Sequence, residues 1–135
     1  MQKIQFIVIN LLLLFVLCAC SNSSEDNQNI EAKLTGIAAQ YIEAEYAGNK
    51  DVLLNITTGD AKKAVEEGQL DIFNNQHLDK IVDTKVNKIS DEEYHLVITV
   101  SSSPSVQEQA TNYFENVTLT KTNNTWLISK VDRDQ

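Results

Sequence analysis

The apolar positions change rhythm several times along this chain. Over residues 4–17 they are nearly continuous, broken only by Gln5 and Asn10, with Lys3 just ahead of them. Residues 21–29 (SNSSEDNQN) are wholly polar. Over residues 30–47 the spacing becomes helical. Ile30, Leu34, Ile37, Ala38, Tyr41 and Ile42 share a face, while Glu31, Lys33 and Glu43 fall elsewhere on the wheel. Asn29 is placed to cap this helix and Gly48-Asn49 to stop it. Two short helices are expected next, over residues 51–56 and 61–67, the second capped by Thr58 or Asp60 and ended by Gly68. Residues 69–78 carry no clear rhythm.

Beyond that point the period falls to two. Residues 81–89 are rich in Val, Ile and Thr, and Ser90-Asp91-Glu92 reads as a turn. Residues 93–101 return with Tyr94, Leu96, Ile98 and Val100 on one face. The serines at 101–103 with Pro104 and Ser105 break the pattern. A third strand over residues 113–121 alternates Val117 and Leu119 with Thr118 and Thr120. Residues 122–125 turn the chain into a last strand, 126–131, and residues 132–135 form a polar tail. Helices first and a four-strand meander after them predict an α+β domain, the long helix packed across a curved antiparallel sheet.

The N-terminal apolar run is about 14 residues long, short of the roughly 20 a membrane-spanning helix needs. No basic stop-transfer cluster follows it, so it reads as an export signal. It ends at Leu17-Cys18-Ala19-Cys20, which resembles the lipobox of bacterial lipoproteins. Leu17 and Ala19 fit that family's pattern; Cys18 departs from it, since Ala, Ser, Val or Thr is usual there. The resemblance implies cleavage between Ala19 and Cys20, a diacylglyceryl thioether on Cys20, and residence on the extracytoplasmic face of a membrane. Residues 20–29 then form a flexible tether, and residues 30–135 one α+β domain. Usage of Asn, Lys and Ile points to a low-GC Gram-positive source; in a Gram-negative cell Ser21 would permit sorting to the outer membrane.

The stretch from Ile37 through Tyr41, Tyr46 and Gly48-Asn49-Lys50-Asp51 to Leu54 resembles the opening helices of cystatin-like cone domains related to nuclear transport factor two. The resemblance spans about residues 30–132. It implies a cone whose interior holds a ligand, an enzyme site or a packed core. Enzymatic members place Asp, His, Tyr or Arg inside the cone, which here makes Asp60, His77, His95, Tyr41, Tyr46, Tyr94 and Tyr113 the candidates.

Composition narrows the function. Nineteen acidic against eleven basic side chains give a net charge of −8, and loss of Lys3 with the signal makes the domain more acidic still. That excludes the basic footprint nucleic acid requires and a polybasic membrane patch, leaving lipid as the anchor. Both cysteines, Cys18 and Cys20, lie at the signal boundary, so the domain has no internal disulfide, cysteine nucleophile or thiolate metal site. Four Asn-X-Ser/Thr triplets, at Asn22, Asn55, Asn116 and Asn123, follow from an Asn- and Thr-rich composition.

The chemistry is sparse. Alternation sends His95 to the face opposite Tyr94, and His77 lies in an irregular connection beside Asp79. The tyrosines and Trp126 follow core spacing. Asp91-Glu92-Glu93 reads as a solvated turn, and Lys62, Lys63, Glu66 and Glu67 as a charged helical face. No metal or cofactor site is expected, and no catalytic constellation. The expectation is a lipid-anchored, non-catalytic recognition module meeting a protein partner at the cell surface, its oligomeric state open. The alternatives are an exclusion or immunity lipoprotein acting on a conjugation or toxin machine, a small-molecule-binding or enzymatic cone, and a structural envelope protein. Metabolic labelling with a fatty-acid analogue is expected to mark the wild-type chain and to be abolished by Cys20→Ala; label surviving that change refutes the lipid anchor.

Overall fold

The computed structural model describes residues 22–70, 73 and 76–133, with side chains described over 26–132. The apolar signal run, Leu17-Cys18-Ala19-Cys20 and Cys20 as the lipidation position lie outside the described residues. The first helix, α1, spans Asn22–Tyr46. Leu34, Ala38, Tyr41, Ile42, Ala44 and Tyr46 form its buried stripe. It begins eight residues before the start expected at Ile30, so the polar stretch thought to be a tether is helical from Asn22, and Asn29 caps nothing. The physical reason is cooperativity: the packed half meets the cost of nucleation, and each polar residue added before it needs only propagation. Asp26, in the first turns, also suits the helix dipole. Asp26 to Asn29 are exposed. The compact unit itself is Lys33–Gln135; Met1–Ala32 counts as a separate one. Among the described residues no helix is long and apolar enough to cross a membrane.

Gly48 ends α1 in the left-handed region, at φ 64°. Its N–H donates to Glu45 O at 3.1 Å, and the Asn49 N–H donates to Ala44 O at 2.8 Å. This paired closure needs a residue without Cβ strain at Gly48. Asn49 then caps α2, Lys50–Ile56, its Oδ1 accepting from the Val52 N–H at 3.3 Å. The third helix, α3, is Gly59–Glu66; Thr58 occupies its cap position without a side-chain bond, so neither Thr58 nor Asp60 caps it as expected. Thr58 N–H instead donates to Ile128 O, tying the helix pair to the last strand.

The strands are β1 His77–Ser90, β2 Glu93–Ser103, β3 Thr111–Thr122 and β4 Thr125–Arg133. They form one antiparallel sheet in the order β1-β2-β3-β4. Three register shifts in β1 and one at Thr118/Leu119 between β3 and β4 give the sheet its curvature. Asn123 and Asn124, at φ 50° and 64°, make the two-residue turn between β3 and β4, the conformation that matches strand twist. Tyr94, Leu96, Ile98, Val100, Val117, Leu119, Trp126 and Ile128 are buried on the inner face, as alternation predicts. One expectation fails here. Ser101, Ser102 and Ser103 do not break β2 but continue it, all buried, because β1 begins at His77 and supplies their partners.

The alternation can be tested by two truncations on one strand. Ile98→Ala is expected to cost roughly 2–5 kcal/mol of stability, read by urea unfolding, whereas His95→Ala on the other face should stay within about 0.5 kcal/mol of wild type.

Candidate functional site

Strand β3 passes from water to core at one residue. Thr111 to Phe114 are exposed, and Glu115 is 2% exposed. Glu115 shares the inner face with Val117 and Leu119, in register with Ile98 on β2 and with position 133 on β4. Neither of its carboxylate oxygens accepts a hydrogen bond, and the buried Ser103 Oγ also has no partner. Burial pushes the Glu115 carboxyl up to about 7, since the charged form loses its water with nothing to replace it.

Helix α1 supplies the facing groups. Tyr46 donates its hydroxyl to Ser102 Oγ at 3.1 Å, and Ser102 donates onward to Gln76 Oε1 at 3.3 Å. The Tyr46 phenol is held above its usual value, chiefly by burial; the Ser102 hydrogen bond opposes this, and the charges of Glu115 and Tyr113 add to it. Its ring stacks on Phe73 with centroids 5.0 Å apart. One turn earlier Tyr41 donates to Glu45 Oε1 at 3.0 Å, both groups fully buried. The inner side is thus polar around Tyr46 and Ser102, with Glu115 near enough for its charge to act on the Tyr46 phenol. It can hold a proton near neutrality and receive a hydrogen-bond donor.

The expected candidates are only partly gathered there. Tyr41 and Tyr46 line this region. Tyr113 borders it but is 41% exposed, which corrects its assignment to the core: it keeps the inner-face phase, yet only its β2 partner Val100 is buried. Tyr94 is buried at the far end of β2, edge-on to Trp126 at 5.4 Å, eight residues or about 26 Å along the strand from Ser102. His77 opens β1 rather than lying in a loop; its Nε2 sits 3.6 Å from Asp79 Oδ1 on the surface. His95 is half-buried on the outer face, and Asp60 is exposed at the start of α3. Asp91 forms an ion pair with Lys88 at 2.7 Å, and Lys63 with Glu67 at 3.8 Å, all on the surface. Among the described residues no group of three or more His, Cys, Asp or Glu could hold a metal.

Glu45, Glu115, Ser102, Ser103 and Gln76 are not apparent as site residues from the sequence. Glu115 leaves a signal there all the same: it puts a carboxylate in the inner phase of a strand whose next inner residues are Val117 and Leu119. Glu45 leaves a fainter one, four residues after Tyr41 on the buried stripe.

No protein-family model matches the chain, and no curated protein matches it. Solved structures do. One is an "Ntf2 like protein involved in plasmid conjugation", 18% identical with a TM-score of 0.60, over 84% of this chain and 41% of that one. Another is the association domain of C. elegans CaMKII, 14% identical with a TM-score of 0.64, over 84% of this chain and 100% of that one. The fold is NTF2-like. This chain spans about two fifths of the length of the conjugation protein, and at these identities the likeness is one of fold.

The buried carboxyl makes stability depend on pH. With its folded value raised from 4.5 to about 7, the native chain keeps a proton that the unfolded chain releases. Stability from this group is therefore full below pH 4.5 and declines as pH rises to about 7, by on the order of 3 kcal/mol. Urea unfolding of wild type and Glu115→Gln at pH 5 and pH 8 checks this; the variant should be the more stable at pH 8 and lose this part of the slope.

Proposed function

We propose that the chain is a lipid-anchored recognition module, held on a membrane by Cys20 and acting by binding a protein rather than by catalysis. The observation that supports this best is the outer face of the sheet. Val97 and Thr99 on β2, with Asn116 and Thr118 on β3, are only half-buried although they lie on the two central strands. On that open face Phe114 is 56% exposed, opposite Thr99, and a bulge in β1 places Val82, 47% exposed, beside the same residue. Two apolar groups rimmed by Asp83, Lys85 and Asn116 on an open sheet suit a protein surface better than a small ligand, which wants a concavity. The chain's net charge of −8 favours a partner with an apolar centre and a basic rim.

The fold neighbours lend support. One is an association domain, and the other is a protein involved in plasmid conjugation. The second favours a narrower setting, a conjugation machine at the cell surface.

A photo-crosslinking residue in place of Phe114, and separately in place of the exposed helix residue Gln40, tests the face in intact cells with and without a conjugative plasmid. The expected result is a defined adduct from position 114, at least about tenfold stronger than from position 40 and lost in Cys20→Ala, as for a hot-spot contact. Adducts of equal strength from both positions refute the docking face. Adducts that appear only with the plasmid support the conjugation setting.

A further inference from the structure

We propose that Glu115 anchors a binding site for the ammonium group of a small organic amine, distinct from the docking face on the other side of the sheet. The starting point is an imbalance of donors. Glu115 is almost wholly buried, yet neither carboxylate oxygen receives a hydrogen bond. Burying such a group unpaired is costly, and native interiors seldom leave it so. The hydroxyls around it do not make up the deficit. Tyr46 spends its proton on Ser102, and Ser102 spends its own on Gln76, so the relay points away from the carboxylate. What the site lacks is a donor with several N–H groups and a positive charge, and an alkylammonium supplies three N–H donors and one charge.

The position of Glu115 provides the approach. Tyr113 lies two residues before it on the same face and is 41% exposed, and every residue from Thr111 to Phe114 is open to water. Along β3 itself, Glu115 is the first buried residue met from that end. Two aromatic rings suit the rest of the ligand: Tyr113 borders the approach, and Tyr46, whose ring stacks on Phe73, lies close enough to feel the charge of Glu115. Among the described residues, Tyr46 from α1 feels the charges of both Glu115 and Tyr113. Position 133 on β4 pairs with Glu115 in register and is an arginine, Arg133, a rival cation of the chain's own.

The experiment uses the full-length lipidated chain in detergent micelles, labelled with carbon-13. The Glu115 carboxyl resonance, identified by its loss in Glu115→Gln, is followed against pH. The probe is propylammonium chloride, compared with 1-propanol and with sodium chloride at equal concentration. The expected result is a midpoint about one unit lower with propylammonium, a tenfold preference for the charged carboxylate, and unchanged with either control. The same shift with sodium chloride means general screening and overturns the proposal. So does a midpoint that propylammonium leaves in place. A midpoint near 4.5 in the unliganded wild type that rises in Arg133→Gln also overturns it, because the chain then supplies its own cation.

Discussion

The inner face of the sheet is apolar from Tyr94 to Val100 and again at Val117 and Leu119, and burying that face is the requirement on which the rest of the structure depends. A four-stranded meander cannot bury it alone. The stripe of α1 from Leu34 to Tyr46 provides the apolar cover, and the Tyr46 hydroxyl bound to Ser102 fixes where its last turn meets β2. The closure at Gly48 follows from that constraint, because the chain must reverse at once to bring α2 and α3 against β4. Asn49 serves both helices, completing the end of α1 and opening α2, so the reversal takes only Ala47, Gly48 and Asn49. Bulges in β1 bend the sheet around the helix instead of leaving it flat.

How much of this could be read from the chain alone varies with the kind of signal. Period-two alternation located the buried residues of β2 and β3, because one covered face imposes it directly. Glycine and asparagine marked the ends of the helices for a similar reason: few other residues tolerate the backbone required there. The start of α1 was not legible, since its first turns are set by propagation from residues far along the chain and leave no apolar trace. Nor were the serines at 101–103. Their small polar side chains look like a turn, and only the earlier start of β1 keeps them in the ladder. The polar interior was missed because it is made by distant pieces: Tyr46, Ser102 and Glu115 come from three elements, and no local spacing joins them. Tyr113 shows the opposite error. It keeps the phase of a core residue where β3 itself is still exposed.

The two sides of the sheet therefore differ in kind. The inner side is a packed core into which Glu115 carries a carboxyl that its own burial keeps protonated to near neutrality. The outer side is open, mixed in character, and centred on Phe114 and Val82. Solved chains at 14% and 18% identity share this fold.

The register shifts in β1 have one more effect. β1 is an outermost strand of fourteen residues, long enough to recruit the edge of a neighbouring molecule. Its bulges interrupt the row of free backbone groups, and Lys80, Lys85 and Lys88 place charge along it, both devices that oppose edge-to-edge pairing. Confinement to a surface would raise the effective concentration of copies well above that in free solution. At high local concentration, such an edge disfavours pairing with the same edge of another copy.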